Sequence, residues 1–349
     1  MLRSKRFLLS TTMTMLFIIF FILRTDLGEV WGAIAQANHL YVLPAIPFYG
    51  IALLWRTSRW QVILSPLGKI PFARLWPVIA VGYAANNVIP VRLGELIRAY
   101  YLSIREGTSK TSALATIIIE RVFDGLALLF LVGIVSLFVP VVGLFRDLGE
   151  QAKINWLVLT LGLSVPFFLT TAAIILISFK PSIIDGLTAR LLRLLPQSVR
   201  ARASDFISRF LAGLAALSDP TKLSLILVLS IPVWLSETAL YYMVALGFGI
   251  EHSLSSHAML AGVLVLTTAT SNLGTSIPST AGGIGPFEFF TQATLIHFGV
   301  ASATASAYAI VLHATLLIPI TILGLVHIWI NSISLNSLAK QSQSSHTLD

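Results

Sequence analysis

An all-α, polytopic integral membrane fold is predicted by three observations. Of the 349 residues, 56% are hydrophobic and 11% charged, against roughly 25% charge in a soluble domain. Six apolar runs, at 7–23, 39–55, 112–140, 155–178, 223–247 and 303–330, are long enough to cross a bilayer core of about 30 Å. Two further apolar regions, 73–103 and 257–298, are each broken in the middle by proline and glycine. Non-helical backbone at membrane depth survives only inside protein or beside a water-filled cavity. The expected architecture is about six spanning helices plus two re-entrant helical hairpins, in a single domain over 1–330.

The placement of basic residues orders these elements, because Lys and Arg near helix ends accumulate on the cytoplasmic side. Arg3, Lys5 and Arg6 precede the run 7–23, in the outline of a signal peptide. That run is long enough to span, and no small-x-small site precedes Arg24-Thr25-Asp26, so an uncleaved first helix with its N-terminus inside is expected. The 24–38 connection sets Arg24 against Asp26 and Glu29 and suits the outside. The 56–74 connection, with Arg56, Arg59, Lys69, Arg74 and no acid, suits the cytoplasm. If 73–103 dips and returns, Arg105 and Lys110 are inside and the 141–154 connection is outside. The basic stretch 180–222, with Lys180, Arg190, Arg193, Arg200, Arg202, Arg209 and Lys222 against Asp185, Asp205 and Asp219, then falls inside as the rule requires. A full crossing at 73–103 puts it outside. The second broken region, 257–298, dips from the opposite face, and 303–330 brings the C-terminus into the cytoplasm.

Each half therefore reads span, span, hairpin, span. The predicted organisation is an inverted-topology repeat in the cell's inner (plasma) membrane, with halves at about 1–145 and 155–330. Within 180–222, Ile183, Leu187, Leu191, Leu194 and Leu195 recur at helical spacing among arginines, the pattern of an amphipathic interfacial helix. Its Arg face either touches anionic headgroups or only obeys the charge rule. The polar tail 331–349 is expected to be disordered.

Composition also excludes. The chain has no cysteine, which removes disulfides and thiolate chemistry. Its net charge of +8 is placed by topology and does not imply nucleic acid. No residues have metal-ligand spacing, no nucleotide motif is present, and no cofactor is expected. No long polar insertion supplies a soluble catalytic domain.

Ionisable groups inside apolar segments are costly, so each is a functional candidate. The first break runs Asn86-Asn87-Val88-Ile89-Pro90-Val91-Arg92-Leu93-Gly94-Glu95 and continues to Arg98. Arg92, Glu95 and Arg98 are spaced by three, near one helical face. They read either as a phosphate cradle, two guanidiniums oriented by a carboxylate, or as a structural ion-pair network. Pro90 removes a backbone donor, and the amides of Asn86 and Asn87 can satisfy the freed carbonyls. Glu120, Arg121 and Asp124 fit a supporting role, as counter-charges to Arg92 or Arg98 across a helix interface. The second break runs from Ser276-Ile277-Pro278 to Ala281-Gly282-Gly283-Ile284-Gly285-Pro286-Phe287-Glu288. Gly282, Gly283 and Gly285 permit positive φ, and a helix starting near Pro286 presents its N–H groups to an anion or simply completes a tight turn. Glu288 either stabilises that helix end or is a protonatable coupling group. Glu237 is a lone acid at depth with the same coupling potential. His313 reads more as a hydrogen-bonded core residue than as a relay, and His297 and His327 add little. Pro90 and Pro278 are the hinges.

At these residues the chain resembles the flippase-like membrane domain of lysylphosphatidylglycerol synthases. The ordered motifs are Gly82-Tyr83 to Asn87-Val88-Ile89-Pro90-x-Arg92-x-Gly94-Glu95-x-x-Arg98, then Glu120-Arg121-x-x-Asp124, then Ile277-Pro278 with Ala281-Gly282-Gly283-Ile284-Gly285-x-Phe287-Glu288. The resemblance covers nearly the whole chain and implies lipid handling, since in two-domain synthases this part is associated with moving an aminoacylated phospholipid between leaflets. No aminoacyl-transferase domain follows residue 330, so lysylphosphatidylglycerol synthesis is not expected.

The resulting expectation is a flippase or scramblase for an anionic or lipid-linked amphipathic substrate, more transporter than enzyme, with membrane lipids as partners. Two rivals stand beside it. One is a membrane glycosyltransferase using a polyprenyl-linked donor, for which Asp26 and Glu29 are the available extracytoplasmic acids. The other is a non-transporting partner of lipid-synthesis enzymes.

Overall fold

Proline and short polar side chains set most of the helix boundaries. The computed structural model describes residues 26–89, 93–179, 196–275 and 281–331, with isolated positions at 12, 15, 19, 186, 188, 192 and 193. Most of the first apolar run, the amphipathic positions of 183–195, Pro90, Arg92, Pro278 and the tail beyond 331 lie outside the described residues. Among the described residues there are helices and no strands.

Helix α1 is Leu27–Gln36, and its N-cap Asp26 accepts hydrogen bonds from the N–H groups of Gly28 and Glu29. The region expected as a plain connection is thus helical. Helix α2 is Val42–Leu64. Helix α3, Phe72–Val88, stops where Ile89 turns extended (φ −99°, ψ 124°), as the residue before a proline must. Helix α4, Gly94–Glu106, ends at Gly107 in the left-handed conformation. Helix α5 is Lys110–Val135, α6 Val141–Ala152 and α7 Trp156–Phe179. Helix α8 is Gln197–Leu214. Helix α9, Pro220–Gly247, starts on Pro220 with Asp219 as a side-chain cap. Helix α10 is His257–Gly274, α11 Pro286–His297 and α12 Ser302–Ile330.

Among the described residues, four helices are long and apolar enough to cross a membrane: His39–Leu64, Trp156–Ala173, Pro220–Gly247 and Ser302–Ile330. Helix α5 has 26 residues but carries Glu120, Arg121 and Asp124 in its middle. One sequence expectation is corrected. Arg56 and Arg59 do not belong to a cytoplasmic connection; they lie within α2 and are 5% and 0% exposed. A charge ends an apolar run on paper, whereas in the fold acids from other helices neutralise both guanidiniums. The orientation argument for 56–74 then rests on Lys69 and Arg74.

Helices α2 to α5 and α9 to α12 form two quartets whose contacts map onto each other. Helix α2 packs along α9 as the most extensive pair, and α3 on α12 has its counterpart in α10 on α5. The pairs α3 with α4 and α10 with α11 correspond, as do α4 with α5 and α11 with α12. Gly324 permits the close approach of α12 to α3, because a Cβ there would lie 2.5 Å from the Ala80 carbonyl oxygen. Each quartet has its own apolar core, one around Trp60, Ile79, Ile97 and Ile117, the other around Tyr241, Leu264, Leu295 and Tyr308. A third cluster, with Leu128 and Leu131 of α5, Val233 and Trp234 of α9 and Ala269 of α10, joins them. The arms α3, α4, α10 and α11 have 17, 13, 18 and 12 residues. At 1.5 Å per residue they are about 26, 20, 27 and 18 Å long, each short of a 30 Å core.

Candidate functional site

The two helix breaks are closed by side chains from their own edges. Asn86, in the last turn of α3, accepts from the Gly94 N–H at 2.7 Å and donates to Glu95 at 3.3 Å. One amide thereby ties the end of α3 to the start of α4 and aims the carboxylate. Asn87 donates to Thr321 of α12 at 2.9 Å. Gly94 must be small, since a Cβ there would lie 2.2 Å from the Gly82 carbonyl oxygen. On the other side, Gly282, Gly283 and Gly285 take φ of 71°, 78° and 98°, a turn that suits glycine. Helix α11 starts at Pro286, as the sequence predicts, but its N-terminus is filled by its own acid: Glu288 accepts the Gly285 N–H at 2.7 Å. The other Glu288 oxygen lies 2.5 Å from His313 Nδ1, and His313 Nε2 lies 3.1 Å from the Gly282 carbonyl oxygen. Both partners of this imidazole are acceptors, whereas a neutral ring has one N–H. Both contacts are satisfied when the Glu288–His313 pair holds one additional proton.

Behind the first break lies a buried ion network. Arg59 is paired with Asp124 at 2.8 Å and with Glu120 at 3.5 Å, and donates to Ser230 at 2.9 Å. Arg98 reaches Glu120 at 2.8 Å and lies 3.7 Å over the Trp60 ring. Arg121 meets Glu95 and Asp124, each at 3.6 Å. Arg56 pairs with Glu237 at 2.6 Å, and Asn272 of α10 donates to that same acid at 3.1 Å. Arg56, Arg59, Arg98 and Arg121 face Glu95, Glu120, Asp124 and Glu237, so these charges balance without residue. Unpaired, any one of them would be expensive to bury.

A cavity of about 500 Å³ opens between the two quartets. Asn86, Asn87, Glu95, Arg121 and Asp124 line it from one side, Glu237, Asn272, Gly282, Gly283 and His313 from the other, with Tyr49, Tyr83 and Trp234 between them. Arg121 Nε, Tyr83 OH and Trp234 Nε1 are buried on this wall without a hydrogen-bond partner. A wall with uncommitted N–H and O–H groups suits a ligand rich in acceptor oxygens.

The structure thus brings together most of the residues singled out in the sequence and reassigns several. Arg98 is not available to an incoming phosphate: it is 3% exposed and held between Glu120 and Trp60. Of the two arginines weighed as partners of the Glu120 cluster, Arg98 is the one seen paired with Glu120, across the α4–α5 contact. Glu237 is not a lone acid, because Arg56 neutralises it. Glu288 stands behind the wall and reaches the cavity through His313, which is buried and hydrogen-bonded as read from the sequence. Arg92, Pro90 and Pro278 are outside the described residues. Sequence reasoning missed Arg56, Arg59 and Asn272. The available signal was the spacing of Arg56 and Arg59, three apart on one helical face beside an apolar run, matching the separation of Arg121 and Asp124.

Comparison with known proteins places the chain among membrane proteins. The family model for the lysylphosphatidylglycerol synthase transmembrane region matches residues 6–324, and the chain belongs to that family. It is 26% identical over 300 residues to a UPF0104 membrane protein of Methanothermobacter thermautotrophicus, covering 81% of this chain and 83% of that one. It is 26% identical over 322 residues to the glycosyltransferase AglD of Haloferax volcanii, covering 86% of this chain and 50% of AglD. A UPF0104 membrane protein of Methanocaldococcus jannaschii, MJ1595, is 30% identical over 176 residues, 50% of each chain. The chain spans about half the length of the last two.

Proposed function

We propose that this member of the lysylphosphatidylglycerol synthase transmembrane-region family carries an amphipathic lipid with an anionic headgroup between leaflets of the plasma membrane. The observation that carries this reading is the polar cavity of about 500 Å³ walled by both helix breaks. In an apolar protein such a cavity gives a headgroup the hydrogen bonds it would lose in hydrocarbon, while the tails stay in lipid. Arg121 binds phosphate oxygens through the Nε–H that has no partner in the protein, and Arg92 is assigned a second phosphate contact from its position in the first break. Glu95 and Asp124 orient Arg121, and Asn86, Asn87, Gly282 and Gly283 shape the wall. The arms of the two breaks, each shorter than the bilayer core, act as re-entrant hairpins. The matching contacts of the two quartets support an inverted repeat that exposes the cavity alternately to each side, both termini being cytoplasmic. The Glu288–His313 pair, or Glu237, provides a proton-coupling site.

Reconstitution in vesicles containing fluorescent phosphatidylglycerol tests the reading. The expected result is leaflet exchange faster than in protein-free vesicles, reduced about tenfold or more by Arg121→Ala and by Glu95→Gln. Exchange at the protein-free rate in the presence of folded protein removes the proposal.

A second reading, sugar transfer from a lipid-linked donor, is favoured by the name of the relative AglD. Its expected acid Asp26 is committed to capping α1, at 2.8 Å from the Gly28 N–H. Sugar transfer by the purified protein that is lost on Asp26→Ala would establish this reading instead.

A further inference from the structure

A second cavity, of about 250 Å³, lies between α5 and α7. Its walls are Leu114, Ile117, Ile118 and Val122 from α5 with Pro166 and Thr170 from α7. Its two ionic members are Glu95 and Arg121, which also line the polar cavity. A hydrocarbon-lined groove and a headgroup-sized cavity therefore share one threshold. That threshold is the loosest part of the ion network: the Glu95–Arg121 contact is 3.6 Å, with side chains 26% and 42% exposed. Arg121 Nε is buried there with no hydrogen-bond partner. The outer wall, α7, belongs to neither quartet, and none of its spanning stretch Trp156–Ala173 is buried within the protein. A helix so placed faces lipid, so the groove is one helix away from the bilayer.

We infer that this groove is a lateral entry site that holds one hydrocarbon chain of a phosphate-bearing lipid while Arg121 takes its phosphate. The inference rests on the cavity reading above and adds the route by which substrate arrives. Continuity points to the occupant: a molecule with an oxyanion headgroup joined to a hydrocarbon chain fills both sides of the Glu95–Arg121 threshold at once, and a membrane phospholipid supplies both. A glycerophospholipid and a polyprenyl phosphate share that chemistry.

Two filling substitutions from opposite walls, Ile118→Trp and Thr170→Trp, test the site in the full chain. Ile318→Trp, on an exposed apolar position of α12, is the control. The readouts are leaflet exchange of fluorescent phosphatidylglycerol, exchange of undecaprenyl phosphate, and binding of sn-glycerol 3-phosphate, which has no chain. Each filling variant is expected to slow exchange about tenfold, leave glycerol phosphate binding within about twofold of the parent, and differ from the silent control. The lipid whose exchange falls identifies the substrate type. If both variants exchange like the parent while Arg121→Ala is slow, the lateral site is wrong and the cavity reading stands. If Arg121→Ala also exchanges like the parent, both fall. Should a tryptophan prevent folding, a photo-crosslinking residue at Ile118 replaces it. Lipid capture at Ile118 above that at Ile318, abolished by Arg121→Ala, supports the site, and equal capture overturns it.

Discussion

The two helix breaks are wired alike and built from different chemistry. In the first, Glu95 near the start of α4 faces Arg121, the twelfth residue of α5. In the second, Glu288 near the start of α11 faces His313, the twelfth residue of α12. Asn86 and Asn272 occupy the same third-from-last position in α3 and α10. Around the first break the helices are tied by permanent charges, with Arg59 and Arg98 buried against Glu120 and Asp124. Around the second they are tied by neutral groups: Thr270 with Thr294 at 2.8 Å, Gln292 with Ser306 at 2.6 Å, and the stacked rings of Phe287 and His313. The contrast teaches a division of labour. The first side is held by fixed charges that balance one another, and the second by an imidazole–carboxylate pair and neutral hydrogen bonds.

Breaking the ionic side is expected to cost most. Arg59→Ala leaves Glu120 with Arg98 alone and Asp124 with the longer Arg121 contact, one buried cation short, and should lower stability by about 3 kcal/mol, read as a lower melting temperature in detergent; a variant as stable as the parent denies the network its structural role. Next come the glycines between the hairpin arms. Gly94→Ala pushes a methyl into the Gly82 carbonyl, whereas Gly274→Ala meets the Phe290 ring, which can swing aside. Both should cost about 1–3 kcal/mol, the first more than the second, by thermal unfolding. On the neutral side, Thr270→Val should cost about 1 kcal/mol, and Thr270→Val with Thr294→Val less, because the pair is removed together. The smallest effect sharpens the comparison functionally. His313→Asn, which cannot reach both Glu288 and the Gly282 carbonyl as the imidazole does, should slow exchange severalfold, whereas Arg98→Lys, which keeps a cation beside Glu120, should stay within about twofold of the parent. Exchange at the parent rate in His313→Asn would remove the Glu288–His313 pair from the mechanism.

Much of the fold was legible in the sequence because the bilayer restricts the options. Apolar length marked the spans at 223–247 and 303–330, and Pro90 and the Gly282–Gly285 turn marked the breaks. What escaped depended on pairing in space. Arg56 and Arg59 ended the apolar run on paper, yet Glu237 and Asp124, from helices far along the chain, make them part of α2. Arg98 was left between phosphate contact and pairing with the Glu120 cluster, because Glu120 lies 22 positions away and periodicity cannot decide which arginine it meets. His313 read as a hydrogen-bonded core residue, but its partners, Glu288 and the Gly282 carbonyl, lie 25 and 31 positions away across the turn and could not be named from spacing.

The central claim is that both breaks face one wet cavity. The chain has no cysteine, so single cysteines can be placed at Asn87 and Thr275 on the cavity wall and at Ile318 on the apolar exterior, and labelled with a water-soluble, membrane-impermeant thiol reagent in reconstituted vesicles. The account predicts rapid labelling at the two wall positions, slowed by added phosphatidylglycerol, and none at Ile318. Wall cysteines as inert as the one at Ile318 would contradict it.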